Sequence, residues 1–127
     1  MEENNRLSHP ARKNGATMPI QYFANREINV EEAIALYRKT SLGERRPVDS
    51  PEAFAQMLEH ANLIITAWDG NHLVGISRSF TDFVQVAYLA DLAVDESYQK
   101  KGIGKRLIEE TRNRLGERCK IVLIAAP

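Results

Sequence analysis

Apolar residues along the chain change their spacing in a way that separates helices from strands. Ala33, Ile34, Leu36 and Tyr37 form the stripe of an amphipathic helix. Asn29 stands before that stripe with Glu32 three residues later, a capping box that predicts the helix start. Gly43 is expected to end it. The loop 44–49 carries Arg45, Arg46 and Pro47, and a second helix begins with Ser50 as N-cap and Pro51 in the first turn. Its residues Phe54, Met57 and Leu58 face inward. Residues 20–24 form a short strand, 62–68 a longer one, and Asp69-Gly70-Asn71 has hairpin chemistry before a return strand over 72–80. A third long strand runs over 86–94. Ile103, Leu107, Ile108 and Leu115 give a last helix over 103–115, closed by Gly116. Residues 120–125 are nearly all apolar, as expected for a strand buried on both faces. The order β-α-α-β-β-β-α-β predicts an α/β fold: a mixed sheet with helices on both sides.

The first 17 residues break these patterns: they are polar, without periodicity, and contain Pro10 and Gly15. They read as a disordered extension, which leaves one domain over 18–127. At 127 residues there is room for one core and not for two.

Charge narrows the function classes. Seventeen basic residues balance 17 acidic ones, whereas general nucleic-acid or membrane-surface binders carry a basic excess. Neither nucleic acid nor membrane is an expected partner, and any anion site must be local. No run approaches the roughly 18 apolar residues of a membrane span, and the lone Cys119 favours a reducing compartment; a cytoplasmic location is expected. His9, His60 and His72 have no ligand spacing, so no metal is expected. Cys119 and Trp68 read as packing residues.

The stretch that carries chemistry is Gln99-Lys100-Lys101-Gly102-Ile103-Gly104-Lys105, where a strand feeds a loop that opens a helix. A helix start leaves about four N–H groups unpaired and carries roughly half a positive charge, which a pyrophosphate satisfies. Glycines at 102 and 104 let phosphate oxygens approach the main chain. Lys100, Lys101, Lys105 and Arg106 add cationic charge at the same point. The pattern is neither the dinucleotide fingerprint, since Leu107 stands where its third glycine would be, nor a P-loop, since Arg106 follows Gly104-Lys105. A glycine loop beside a solvated basic helix face is the plain alternative.

Gln99-Lys100-Lys101-Gly102-Ile103-Gly104 resembles the Gln/Arg-x-x-Gly-x-Gly/Ala signature of the GNAT N-acetyltransferases, and the flanking Asp91-Leu92-Ala93-Val94-Asp95 and Arg106-Leu107-Ile108 are similar to that family too. The resemblance implies acetyl-coenzyme A as co-substrate, a primary amine of a small molecule or protein as acceptor, and direct attack without a covalent enzyme intermediate. It assigns the pyrophosphate to the amides of Gln99, Lys100, Lys101, Gly102, Ile103, Gly104 and Lys105. The pantetheine arm falls to the strand Leu92, Ala93 and Val94, with the Leu92 N–H on the thioester carbonyl. Asp91 is a candidate base and Tyr88 an acceptor-pocket residue; as they are an odd number of positions apart, they are expected on opposite faces of their strand. Asp91 as a structural carboxylate is the alternative. Arg45, Arg46 and Phe83 either border the acceptor site or are solvated surface.

Family members continue past the fifth strand into a further helix and hairpin, whereas this chain stops at Ala125-Ala126-Pro127. That leaves no counterpart for the family's general-acid tyrosine and exposes an edge through which a homodimer is expected to form. A non-catalytic acyl-coenzyme A-binding module, an inactive fragment and a generic α/β interaction domain remain alternatives.

Overall fold

The computed structural model describes residues 19–124; the polar stretch 1–17 and residues 125–127 lie outside them. Strands and helices follow in the expected order: β1 (Gln21–Ala24), α1 (Val30–Arg38), α2 (Pro51–His60), β2 (Leu63–Asp69), β3 (His72–Thr81), β4 (Val86–Val94), α3 (Ile103–Asn113) and β5 (Lys120–Val122). Among the described residues no helix is long and apolar enough to cross a membrane.

Local chemistry sets the helix ends. Asn29 Oδ1 accepts from the Glu32 N–H at 3.1 Å, and Ser50 Oγ from the Ala53 N–H at 3.3 Å, each satisfying one orphan amide of a first turn. Helix α1 stops at Arg38, short of Gly43. The Thr40 hydroxyl donates to the Tyr37 carbonyl at 2.9 Å and accepts from the Leu42 N–H at 3.2 Å, redirecting the chain into a 3-10 turn over Ser41–Glu44. Helix α3 stops at Asn113, not Leu115. Arg114 and Leu115 make shorter-range bonds to Thr111 and Arg112, and the Gly116 N–H docks on the Phe83 carbonyl at 2.8 Å.

The sheet order is β1-β2-β3-β4-β5, antiparallel through β4, with β5 parallel to β4 after the α3 crossover. Helices α1 and α2 cover one face, where Tyr37, Phe54, Leu58, Trp68, Ile76 and Ala93 share a core. Helix α3 covers the other, where Ile103 and Leu107 meet Ile65, Ala67 and Val74. Every residue of β2 is buried, and its sequence is apolar but for Thr66 and Asp69. Gly75 lets α3 lie close: a Cβ there would stand 3.1 Å from Leu107 Cδ1 and 3.2 Å from Ile103 Cγ2.

One expectation fails. Of the run 120–125, residues 120–124 are described and are not a strand buried on both faces: β5 has three residues, and Val122, Leu123 and Ile124 are exposed. An apolar run of this length reports hydrophobicity and not the number of neighbours, and among the described residues β5 pairs only with β4.

Phe54 is fully buried and meets the Tyr37 ring edge-on at 4.9 Å. Phe54→Ala should cost about 3–5 kcal/mol in urea denaturation; a loss under about 1 kcal/mol would show that the site collapses freely.

Candidate functional site

In the β3–β4 ladder Asp91 stands opposite Arg78 and Leu89 opposite Ser79, so Ala90 is one residue too many and forms a bulge. The bulge reverses the alternation of side chains. Tyr88 stands opposite Phe80, whose ring lies 5.3 Å from the Arg78 guanidinium, so Tyr88, Phe80, Arg78 and Asp91 share a face. The expectation that Tyr88 and Asp91 point to opposite faces is thereby corrected: it assumed an unbroken ladder.

The bulge also marks where β5 leaves β4. The two strands pair only over Val86, Ala87 and Tyr88, against Lys120, Ile121 and Val122. Beyond that, β4 has no strand on its outer edge among the described residues. The Asp95 N–H donates to the Val74 carbonyl at 2.8 Å, directly across the register. By antiparallel alternation the main-chain groups of Val94 and Leu92 then point outward, to that open edge, while those of Ala93 point inward to β3.

Helix α3 begins beside this edge. Its N-cap, Gly102, has φ +81° and offers no side-chain cap, and the first intrahelical bond is from Arg106 N–H to the Gly102 carbonyl. The amides of Ile103, Gly104 and Lys105 therefore lack a capping side chain. A Cβ on Gly102 would meet nothing within 4 Å; glycine is required there by its left-handed backbone. Lys100 is also left-handed, at φ +66°. Between helix start and strand edge lies an open cleft of about 360 Å³, lined by Leu92, Val94, Tyr98, Gln99, Lys100, Gly102, Ile103, Gly104 and Lys105.

Of the residues the sequence assigned to this region, two do not line the cleft. Ala93 is buried against α1 and α2 on the opposite face, and the Lys101 ammonium lies 5.9 Å from the Tyr98 ring centroid. Arg106 turns away as well, to Glu110 at 2.9 Å and the face of Tyr22. Tyr98, which the sequence reading passed over, lines the cleft and donates to Asp69 Oδ2 at 2.6 Å, fixing the loop to the β2–β3 turn. Asp95 holds the same loop from inside, accepting from Ser97 N–H and Oγ and from Lys39 Nζ. Gln99 Nε2 donates to the Val94 carbonyl at 3.3 Å, so a side chain engages part of the open edge.

Asp91 is 1% exposed and fully engaged. Oδ1 accepts from Arg46 Nε at 2.8 Å and lies 2.6 Å from its Nη2; Oδ2 accepts from Arg78 Nε at 2.6 Å and the Tyr37 hydroxyl at 2.7 Å. Burial by itself raises the pKa of this carboxyl, but the bonds from Arg78, Arg46 and Tyr37 outweigh it and hold the group below the usual carboxylate range. Burial and the neighbouring Asp91 charge push the Tyr37 hydroxyl far up, so it stays a donor. An anion so well stabilised is a weak proton acceptor, and the arrangement is that of a structural carboxylate. No residue pattern marks Tyr37 and Arg78 as its partners: one sits in an apolar helix stripe, the other in mid-strand. Arg45 and Phe83 are exposed, His60 bonds the Gln56 carbonyl, and Cys119 is buried. His9 lies outside the described residues, among which no group of three ligating side chains could hold a metal.

Residues 26–126 match the model of the Acetyltransferase (GNAT) family, and the chain belongs to that family. No curated protein matches the chain. Among solved structures, a GNAT acetyltransferase from Streptococcus pneumoniae is 25% identical with TM-score 0.64, over 85% of this chain and 78% of that one. A probable acetyltransferase from Staphylococcus aureus is 25% identical with TM-score 0.65, over 84% and 80%. The aminoglycoside N-acetyltransferase AAC(6')-Iy, solved in complex with CoA, shares the fold at 15% identity and TM-score 0.63, over 91% and 82%.

Asp91 predicts a pH signature. Its folded pKa lies below the unfolded value of about 3.9, so its contribution is complete above that value and disappears as pH falls through the folded one. Asp91→Asn should lower stability near neutrality by about 3–5 kcal/mol. The gap from wild type should narrow below about pH 4. Urea titrations across that range check this; a constant gap would refute it.

Proposed function

We propose that the chain is an N-acetyltransferase that takes its acetyl group from acetyl-coenzyme A and passes it to a primary amine by direct attack. The observation that carries this reading is the meeting, in one cleft, of uncapped amides at the start of α3 with the outward main-chain groups of Leu92 and Val94. The two features suit two parts of one elongated ligand. A diphosphate needs N–H donors and positive charge, which Ile103, Gly104 and Lys105 provide with Lys100 beside them. An amide-bearing arm needs a strand edge with donors and acceptors facing outward, which β4 provides beyond its bulge, the Val94 carbonyl being held there by the Gln99 side chain alone. The CoA complex of AAC(6')-Iy, a structure of the same fold, supports the pairing of this architecture with that ligand.

When bound, the co-substrate would supply a thioester: the amine nitrogen bonds to the acyl carbon, the carbon–sulfur bond breaks, and coenzyme A leaves as the thiol once its sulfur takes a proton from water. The Leu92 N–H, aimed into the cleft, would stabilise charge gathering on the carbonyl oxygen. Gln99 would release the Val94 carbonyl as the arm takes its place. Tyr88, 38% exposed, marks the acceptor end. With Asp91 saturated, the proton lost by the amine passes to water in the open cleft. That saturation also favours a second reading, a coenzyme-binding module without turnover.

Gly104 separates binding from folding. A Cβ there would meet only Val94 Cγ2, at 3.8 Å, which is ordinary contact. Gly104→Asp should fold normally, since an acidic side chain suits a helix start. It should weaken coenzyme A binding by about tenfold or more in calorimetry, about 1.4 kcal/mol. Unchanged affinity would overturn the assignment of the diphosphate to α3. Thiol release with an amine panel then decides between the two readings: binding without release identifies the module.

A further inference from the structure

Arg46 leaves the loop between α1 and α2 and ends on the bulge of β4. Its Nη2 donates to the Ala90 carbonyl at 3.3 Å, and its Nη1 to the Arg45 carbonyl at 2.9 Å. Nε and Nη2 together hold Oδ1 of Asp91. The guanidinium therefore joins its own loop to the surplus residue of β4 and to the carboxylate that follows it. Arg78 and Tyr37 hold the second Asp91 oxygen from β3 and α1, so four separate segments close on this point.

A bulge is the place where a ladder is least determined, because its extra residue is left without a partner across the strands. Here Ala90 finds its partner outside the sheet, in a side chain 44 positions away in sequence. The direction of β4 from Asp91 to Val94 depends on how that bulge is held, and with it the aim of the two outward main-chain groups in the cleft. A planar fork fixes direction as well as distance, which a flexible ammonium does not.

We propose that Arg46 is a positioning residue: by gripping the Ala90 carbonyl and Asp91 it fixes the bulge, and so aims the Leu92 and Val94 main chain into the cleft. Its consequence for acyl transfer rests on the function proposed above; its effect on the strand does not. The pyrophosphate end of the cleft, built by residues 99–105, is outside its reach. Arg46 thus acts on the reacting end and on the arm held at β4, and leaves the diphosphate contacts to α3.

The test compares wild type with Arg46→Ala and Arg46→Lys by amide NMR, calorimetry with coenzyme A, and steady-state acetyl transfer. In Arg46→Ala the Leu92 and Val94 amide signals should move or broaden while those of Ile103, Gly104 and Lys105 stay. The Kd for coenzyme A should rise by only about threefold, the share lost by its arm, while kcat falls by about tenfold or more. Low millimolar guanidinium should recover part of kcat, whereas a protein that had merely lost stability would gain nothing from it. Arg46→Lys should recover little. Unmoved Leu92 and Val94 amides overturn the proposal, as does a normal kcat in a variant whose amides have moved, or a kcat that guanidinium does not raise. If wild type neither binds coenzyme A nor transfers acetyl, the proposed function falls, and the amide signals alone still decide the positioning role. Should Arg46→Ala fail to fold, Arg46→Gln is read in the same way.

Discussion

A single surplus residue, Ala90, divides β4 into two parts with different obligations. Before it, the strand is an ordinary member of the sheet, paired with β3 on one side and β5 on the other. After it, the outer edge is open and the main chain of Leu92 and Val94 has no strand to meet. An open edge inside a packed domain is costly unless its direction is fixed, because a ladder that slips would close it. What fixes it is a buried carboxylate with two guanidinium groups and a phenol around it. Buried ion pairs are weak contributors to net stability, since desolvation offsets much of the attraction. Their value here is geometric: Asp91 has one satisfactory position, and both ends of the bulge follow from it.

Much of this fold could be read from residue patterns, and the reasons are local. Asn29 with Glu32 and Ser50 with Pro51 mark helix starts because the caps use neighbours in sequence. Asp69-Gly70 marks a hairpin for the same reason, and Gly102 and Gly104 mark the helix opening because backbone conformation and bareness are properties of single residues. The unreadable parts are relations between distant segments. Side-chain alternation counts residues and cannot see that Ala90 is skipped by its partner strand, so it sent Tyr88 to the wrong face. The stripe that revealed α1 includes Tyr37 as an apolar residue and conceals its hydroxyl, which serves Asp91 in the core. The apolar run after Cys119 reads as a buried strand because hydrophobicity is the same on an edge as in the middle of a sheet.

The candidate site shows the same division. Its anion end comes from one continuous segment whose amides, glycines and lysines are consecutive, which is why a short motif identifies it. The end around Asp91 is assembled from α1 with the loop after it and from β3 with the bulge of β4, two stretches separated in sequence by α2 and β2. Tyr88 and Phe80 belong to this second group, since only the bulge brings Tyr88 opposite Phe80 and onto the face of Asp91. Structures of closely similar fold at 15% to 25% identity keep the architecture, including an aminoglycoside acetyltransferase, without fixing what each one modifies. A ligand shared by a whole family needs a site that survives changes elsewhere, and a contiguous loop at a helix start meets that need. A variable acceptor needs surfaces that change independently of that loop, and side chains contributed by separate segments meet it. The Asp91 cluster lies between the two: through Arg46 it ties the strand edge of β4 to the α1–α2 loop. Arg46 is the point at which a change in that loop would be transmitted to the strand edge.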